Sequence, residues 1–135
     1  MKKRFSWLAG ALAAAVLWGT SQVEAATILF VPQDNRPVSL SYTVDTAEGA
    51  GYTVITPPDY LISGKNYHGE ADKIWQWVDE NAGRADVMVL STDTLVYGGL
   101  VDSRKHNLSL NTLLNRTKQI GTLHDKFPNV PIYAF

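Results

Sequence analysis

The loop at residues 32–38 reads Pro-Gln-Asp-Asn-Arg-Pro-Val and places a carboxylate and a guanidinium close together, at Asp34 and Arg36. The two prolines fix their own φ angles and restrict the residues before them, which predicts a rigid loop. A rigid loop that presents opposite charges can bind or process a polar ligand. The same pattern also suits a structural turn, in which Asp34 caps the next helix and Arg36 pairs with it.

A second polar loop, residues 91–104, contributes another carboxylate, Asp93. Two carboxylates in one cleft can divide acid and base roles, because their environments separate their pKa values. Asp34 and Asp93 are therefore the predicted catalytic residues. The competing interpretation of Asp93 is a helix N-cap, a common use of aspartate.

The predicted substrate-binding residues are Arg36, Tyr97 and Arg104. Arginine side chains hold anionic or hydroxyl-rich groups, and a tyrosine supplies a hydroxyl or a stacking face. Arg104 begins a basic cluster with Lys105 and His106 that could bind a carboxylate or a phosphate. That cluster could equally be a solvated charged surface.

Several motifs of well-known sites are missing from the sequence. There is no Gly-rich nucleotide-binding fingerprint and no G-x-S-x-G serine elbow, and His68, His106 and His124 do not have metal-ligand spacing. We therefore expect neither a metal nor a cofactor, and we interpret His124 as a packed core histidine. Gly98-Gly99 predicts a tight turn or a close backbone approach to a ligand.

Short apolar runs alternate with segments of helical periodicity along the chain, and Gly or Pro residues end most of them. The order β-α-β-α-β-α-β predicts an α/β fold with a parallel sheet. An open doubly wound sheet and the first half of a (β/α)₈ barrel both fit this order, and both place their sites at the carboxyl ends of the strands. The predicted strands are 27–31, 53–56, 86–91 and 131–135, and the predicted helices are 39–50, 70–81 and 110–127.

Residues 1–25 have the pattern of a secretory signal peptide: a basic start at 2–4, an apolar stretch at 5–18, and small residues before the predicted cleavage after Ala25 or Ala26. The apolar stretch is shorter than the roughly 20 residues that span a bilayer, which argues against an uncleaved anchor. The sequence therefore predicts a secreted or extracytoplasmic protein with no stable membrane span after cleavage.

Cleavage would remove three cations and one carboxylate, which changes the formal charge from −1 to −3. A weakly acidic chain with no large basic patch is not expected to bind nucleic acid. The chain contains no cysteine, which excludes disulfides, thiolate metal sites and a cysteine nucleophile. The expected partner is a small-molecule or glycan ligand, and the sequence predicts no oligomeric state.

The chain resembles a bacterial family catalogued as domain of unknown function 4127. The matching segments are 30–38, 56–58, 90–93, 97–101 and 103–104. Family members are longer, so the resemblance implies that residues 26–135 are the N-terminal portion of a parallel α/β domain. Asn35 stands where the family usually has an acidic residue and Gln33 where it has an apolar one, which leaves Asp34 as the better candidate.

These observations lead to three functional hypotheses. The first is an exported hydrolase that acts on a glycan or another polar substrate through strand-end carboxylates. The second is an extracytoplasmic ligand-binding module without catalysis. The third is an inactive truncated fragment, for which residues 27–135 expressed alone are expected to aggregate or to melt without cooperativity.

Overall fold

The computed structural model describes residues 24–135 of the chain, so nearly all of the predicted signal peptide, residues 1–25, lies outside the described residues. The described part alternates strands and helices in the predicted order. Its elements are β1 (Thr27–Val31), α1 (Ser41–Gly49), β2 (Thr53–Ile55), α2 (Ala71–Asn81), β3 (Val87–Leu90), α3 (Leu100–Arg104), α4 (Leu110–Lys126) and β4 (Ile132–Ala134).

Within the described residues the strands form one parallel sheet in the order β2-β1-β3-β4. β3 pairs with β1, from Ile28 opposite Val87 to Val31 opposite Leu90, and not with β2. In a (β/α)₈ barrel consecutive strands are neighbours, so this order decides for the open sheet. The crossover after β1 leads to β2 on one side, and the crossover after β3 leads to β4 on the other. The gap between the carboxyl ends of β1 and β3 is therefore a topological switch point, where open α/β sheets bind ligands.

Helices lie on both faces of the sheet. Alternate strand residues point to opposite faces, and Leu29, Val31, Met88 and Leu90 form one face that packs under α2 and α4. α1 lies on the other face, beside Ile28. The sheet is therefore doubly wound, with the larger core on the α2 and α4 side.

Helix α2 contributes Ile74, Trp75 and Val78 to that core, because they recur at helical spacing and are buried. Burying each such side chain stabilises the fold by about 1.5–3 kcal/mol. The Trp75 indole also donates a hydrogen bond of 2.8 Å to the carbonyl oxygen of Leu95. This contact joins the core to the segment that follows β3.

Helix α4 turns a different face to the core than the sequence pattern predicts. Leu123 is buried and Ile120 and Phe127 pack against the core, whereas His124 is exposed. His124 lies about 100° around the helix from Leu123, at the edge of the face that α4 turns to the core, and it is exposed there. The interpretation of His124 as a core histidine is wrong.

Two structural details of the site region were not predicted. Residues Asp93–Tyr97 form a single π-helical turn directly after β3, and α3 follows Gly98-Gly99.

Among residues 24–135, no helix combines the length and the apolar character needed to cross a membrane.

Candidate functional site

Three loops meet beyond the carboxyl ends of the strands: residues 32–40 after β1, 56–70 after β2 and 91–99 after β3. Backbone hydrogen bonds join them, from the Asn35 N–H to the Ser63 carbonyl (2.9 Å) and from the Leu100 N–H to the Gln33 carbonyl (3.1 Å). The Thr94 hydroxyl also donates to the carbonyl oxygen of Pro32. The β1 loop is therefore held between the other two, at the switch point.

Glycines allow the β2 and β3 loops to approach this closely. A Cβ atom on Gly69 would lie 2.0 Å from the carbonyl oxygen of Gly98, and one on Gly99 would lie 2.0 Å from the Ser63 hydroxyl. Gly98 also has a φ angle of 103°, which side chains rarely tolerate. The predicted close approach at Gly98-Gly99 is therefore made to a neighbouring loop of the same chain.

Asp34 and Arg36 form an ion pair within the β1 loop. The Arg36 backbone N–H donates to Asp34 Oδ1 (3.1 Å), and its guanidinium reaches Asp34 Oδ2 through Nε (2.8 Å) and Nη2 (2.7 Å). The carboxylate is buried, with 8% of its side chain exposed, against 54% for Arg36. Burial alone would raise the pKa of Asp34, but hydrogen bonds from Arg36 and from the Ser39 side chain, together with the positive charge of Arg36, outweigh burial and lower it.

In this geometry the Asp34 carboxylate holds the Arg36 guanidinium in place, and a catalytic role for Asp34 stays a prediction. Arg36 engages both carboxylate oxygens, and the carboxylate stays ionised, so Asp34 fixes a half-exposed guanidinium at the switch point. The pairing that the sequence offered as a structural alternative is present. The predicted cap is absent, because helix α1 begins at Ser41 and no side-chain capping bond forms at its N-cap residue, Leu40.

Asp93 is the first residue of the π-helical turn, and the Gln33 amide approaches its Oδ2 at 3.4 Å. The loops after β1 and β3 therefore meet at these two side chains, as expected for neighbouring parallel strands. Asp93 is partly exposed and leaves its other oxygen without a hydrogen-bond partner among the described residues. π-helical turns are rare and occur frequently at functional sites.

A cavity of about 430 Å³ opens beside the β3 loop, within the size range of small-molecule pockets. Tyr97 lines it and packs against His106, with 4.9 Å between the ring centroids. Arg104 ends α3 as an exposed residue and does not line the cavity, although its neighbours Lys105 and His106 do. The complete lining is His68, Gly69, Tyr97, Asp102, Lys105, His106, Asn107, Leu108 and Arg116.

A second paired carboxylate, Asp102, was not predicted from the sequence, and it contacts His68 Nδ1 at the rim of this cavity. Only 10% of the Asp102 side chain is exposed, against 87% for His68. An ionised carboxylate can only accept hydrogen bonds, so His68 Nδ1 carries a hydrogen atom and donates the hydrogen bond to Asp102. The other ring nitrogen of His68, Nε2, is then free to accept a proton from a bound molecule.

Arg116 reaches the same cavity from α4 and is held firmly in place. Its guanidinium donates to both oxygens of Asp72 (2.9 and 3.0 Å) and to the Val96 carbonyl (2.9 Å). These bonds lower the pKa of Asp72, and only 12% of the Arg116 side chain is exposed. Arg116 therefore ties the cavity wall to α2 and to the π-helical turn.

No set of three or more His, Cys, Asp or Glu side chains within residues 24–135 is arranged to hold a metal ion. The cavity offers a proton acceptor at His68 and a fixed cation at Arg116. Arg36 and Asp93 belong to the neighbouring strand-end loops and do not line the cavity.

Comparison with known proteins identifies one similarity. A family model described as "Protein of unknown function (DUF4127)" matches residues 28–135, which include every site residue named above and all of the sheet except Thr27. No curated protein and no solved structure matches the chain. The match confirms the resemblance that the loop motifs indicate.

Proposed function

The chain belongs to the DUF4127 family, and we propose that it is a hydrolase of a glycan or another polar substrate, with His68 as its general base. The observation that carries this proposal is the pairing of the exposed His68 imidazole with the buried Asp102 carboxylate at the rim of the cavity. Such a pairing holds an imidazole in one orientation and one tautomer, as hydrolytic enzymes require.

The proposed step uses water as the nucleophile. His68 Nε2 accepts a proton from water as that water attacks the electrophilic carbon. At the carbonyl carbon of an ester the hydroxide adds, the bond to the leaving oxygen then breaks, and the imidazolium returns its proton to this oxygen. At the saturated carbon of a glycoside, attack and bond breaking occur in one displacement, and a carboxylic acid on the opposite face, for which Asp93 is the candidate, protonates the leaving oxygen. Asp102 does not take part in the proton transfer and acts as a positioning residue.

The strand-end residues bind the substrate in this proposal. Arg36, which Asp34 fixes, holds an anionic or hydroxyl-rich group, and Tyr97 supplies an aromatic face. Asp93 is the carboxylate that remains available as a proton donor or as a hydrogen-bond acceptor for a hydroxyl. Arg104, exposed at the end of α3, is the outermost binding residue.

We also propose that this activity is extracytoplasmic, because residues 1–25 have the pattern of a cleavable signal peptide. Exported protein should begin at Ala26 or Thr27, which N-terminal sequencing measures. Recovery of the protein from membranes with residues 1–18 intact would contradict export by cleavage.

Hydrolysis is tested on the full chain with p-nitrophenyl acetate and a panel of p-nitrophenyl glycosides. The variant His68→Gln should lower kcat by about 100-fold or more, the usual contribution of a positioned general base. His124→Gln is the matched control, because His124 is exposed on α4 and does not line this cavity. Equal rates for His68→Gln and the wild type would contradict the proposal.

A second candidate is a ligand-binding module without catalysis, which the Asp34–Arg36 pair favours. A guanidinium held by a buried carboxylate is suited to binding, because it stays protonated and positively charged at ordinary pH. Under this alternative, a ligand binds saturably in calorimetry, none of the panel is hydrolysed, and Arg36→Gln weakens binding more than His68→Gln does.

A further inference from the structure

The cavity beside His68 is lined by two cations, Lys105 and Arg116, and by one carboxylate, Asp102. From this we infer that it contains a subsite for an oxyanion, a carboxylate or phosphate substituent of the substrate, bound by Lys105, His106 and Arg116. The inference rests on the proposed function, because it assigns the substrate class of that same site. It makes the preferred substrate an acidic or phosphorylated sugar-like compound.

The charges around the cavity support an anionic ligand. Among the described residues that line it, Asp102 is the only carboxylate, and it already contacts His68. Lys105 and Arg116 are both cations, and within residues 24–135 Lys105 makes no salt bridge. Asp72 pairs with Arg116, so Lys105 is the lining cation that an entering oxyanion meets without a carboxylate partner among the described residues.

The hydrogen-bond state of His106 also fits this assignment. Its Nδ1 accepts a hydrogen bond from the Leu108 backbone N–H (3.3 Å). The proton of the neutral ring must then lie on Nε2, which can donate to a ligand. Packing against Tyr97 limits the rotation of the ring, so the donor is held in one place.

Arg116 provides the most strongly fixed cation. It uses three of its N–H donors on Asp72 and Val96, and a guanidinium has five, so two remain for a ligand. Its side chain is mostly buried, so it loses little conformational freedom when an anion binds. Charge-assisted bonds of this kind are the stronger class of hydrogen bond in proteins.

Three ligands that differ only at C6 test the subsite: D-glucose, D-glucuronate and D-glucose 6-phosphate. Calorimetry on the full chain should show that at least one of the two anions binds about tenfold or more tightly than glucose, as one charge-assisted contact predicts. The anion that binds more tightly identifies whether the natural substituent is a carboxylate or a phosphate. Equal binding of all three sugars, or no binding of either anion, would overturn the inference.

The variant Lys105→Ala should abolish most of the preference for the anion. Because the Lys105 side chain is exposed, its removal does not disturb the core, whereas Arg116→Lys changes a mostly buried side chain. Lys118→Ala, an exposed lysine on α4 that does not line the cavity, is the matched control and should retain the preference. A preference that survives in both Lys105→Ala and Arg116→Lys would place the anion elsewhere and reject the subsite.

The same measurements separate this inference from the proposed hydrolase. If the anion binds in a Lys105-dependent way but the wild type hydrolyses nothing, the subsite stands and the catalytic proposal fails. If His68-dependent hydrolysis occurs at equal rates on p-nitrophenyl β-D-glucoside and p-nitrophenyl β-D-glucuronide, the hydrolase stands and the subsite fails.

Discussion

Two carboxylate pairs occupy the strand-end loops, and they differ in the base that each carboxylate holds. Asp34 and Asp102 are both buried, and each binds a more exposed basic side chain, Arg36 in one pair and His68 in the other. Arginine remains charged at any ordinary pH, whereas an imidazole can accept and release a proton near neutrality. The first pair is suited to binding and the second to proton transfer.

The pairs also differ in what holds them together. Asp34 and Arg36 are two residues apart, so one loop contains the whole pair. His68 and Asp102 are 34 residues apart and meet because the β2 and β3 loops approach each other at Gly69 and Gly98. The first pair is a local feature of the sequence, and the second is a product of the tertiary fold.

The largest expected effect comes from replacing the two buried carboxylates. Asp102→Asn should lower kcat by about 100-fold or more, because His68 loses the acceptor that fixes its tautomer. Asp34→Asn should chiefly raise KM, because it loosens a binding cation and leaves the base intact. Steady-state kinetics on the hydrolysed p-nitrophenyl substrate, with NMR of the His68 ring nitrogens, measures both effects.

An Asp102→Asn variant that kept its kcat and changed only KM would remove the difference between the pairs. An unchanged tautomer of His68 in that variant would also remove the difference. In either case Asp102 would be only a structural contact of the loop.

The next largest effect is expected when the His68–Asp102 contact is broken and the Asp34–Arg36 pair is left intact. Gly69→Ala would place a methyl group 2.0 Å from the Gly98 carbonyl oxygen, so backbone must move. We expect the free energy of unfolding to fall by about 1–3 kcal/mol, the usual cost of overpacking, together with loss of the His68–Asp102 contact. Thermal or urea unfolding measures the first, and the His68 ring resonances report the second.

Gly121→Ala is the matched control for that experiment. Gly121 lies inside helix α4, and a Cβ atom there has no neighbour within 4 Å. Alanine should therefore stabilise the helix by about 0.5–1 kcal/mol, because glycine is the poorer helix former. Equal destabilisation by both substitutions would show that the close loop approach is not the cause.

Local patterns predicted the parts of the fold that depend on neighbouring residues. The apolar runs identified β1 and β3, and helical periodicity with buried Ile74 and Trp75 identified α2. Because strand-end loops of parallel neighbours meet, the approach of the β1 loop to Asp93 could be expected as well. These inferences need only the period of a helix or strand and the direction of the chain.

The missed features depend on contacts between distant segments. No local pattern states that β3 pairs with β1, and the choice between an open sheet and a barrel needs that pairing. His68 lacked metal-ligand spacing, so it had no assigned role until the fold placed it against Asp102. A histidine next to a loop glycine, in a chain with a second glycine-rich loop, is the one signal that could have indicated it.

The smallest expected effect concerns stability in acid and separates the Asp34–Arg36 pair from an exposed ion pair. The pKa of Asp34 is lowered in the folded protein: burial would raise it, but Arg36 outweighs burial. A lowered folded-state pKa contributes stability that is present above about pH 4, the ordinary aspartate value, and is lost as the pH falls through the folded-state pKa. Asp34→Asn should therefore flatten the acid side of the stability curve and lower the free energy of unfolding by about 1 kcal/mol at neutral pH.

Asp72→Asn is the comparison. The Asp72 pKa is also lowered, chiefly by its hydrogen bonds to Arg116, but its carboxylate is mostly exposed and solvent screens the pair. Urea unfolding between about pH 2.5 and 7 measures both variants. If Asp34→Asn followed the wild-type curve throughout, the pair would add nothing to the fold, and its burial would have to be explained by ligand binding alone.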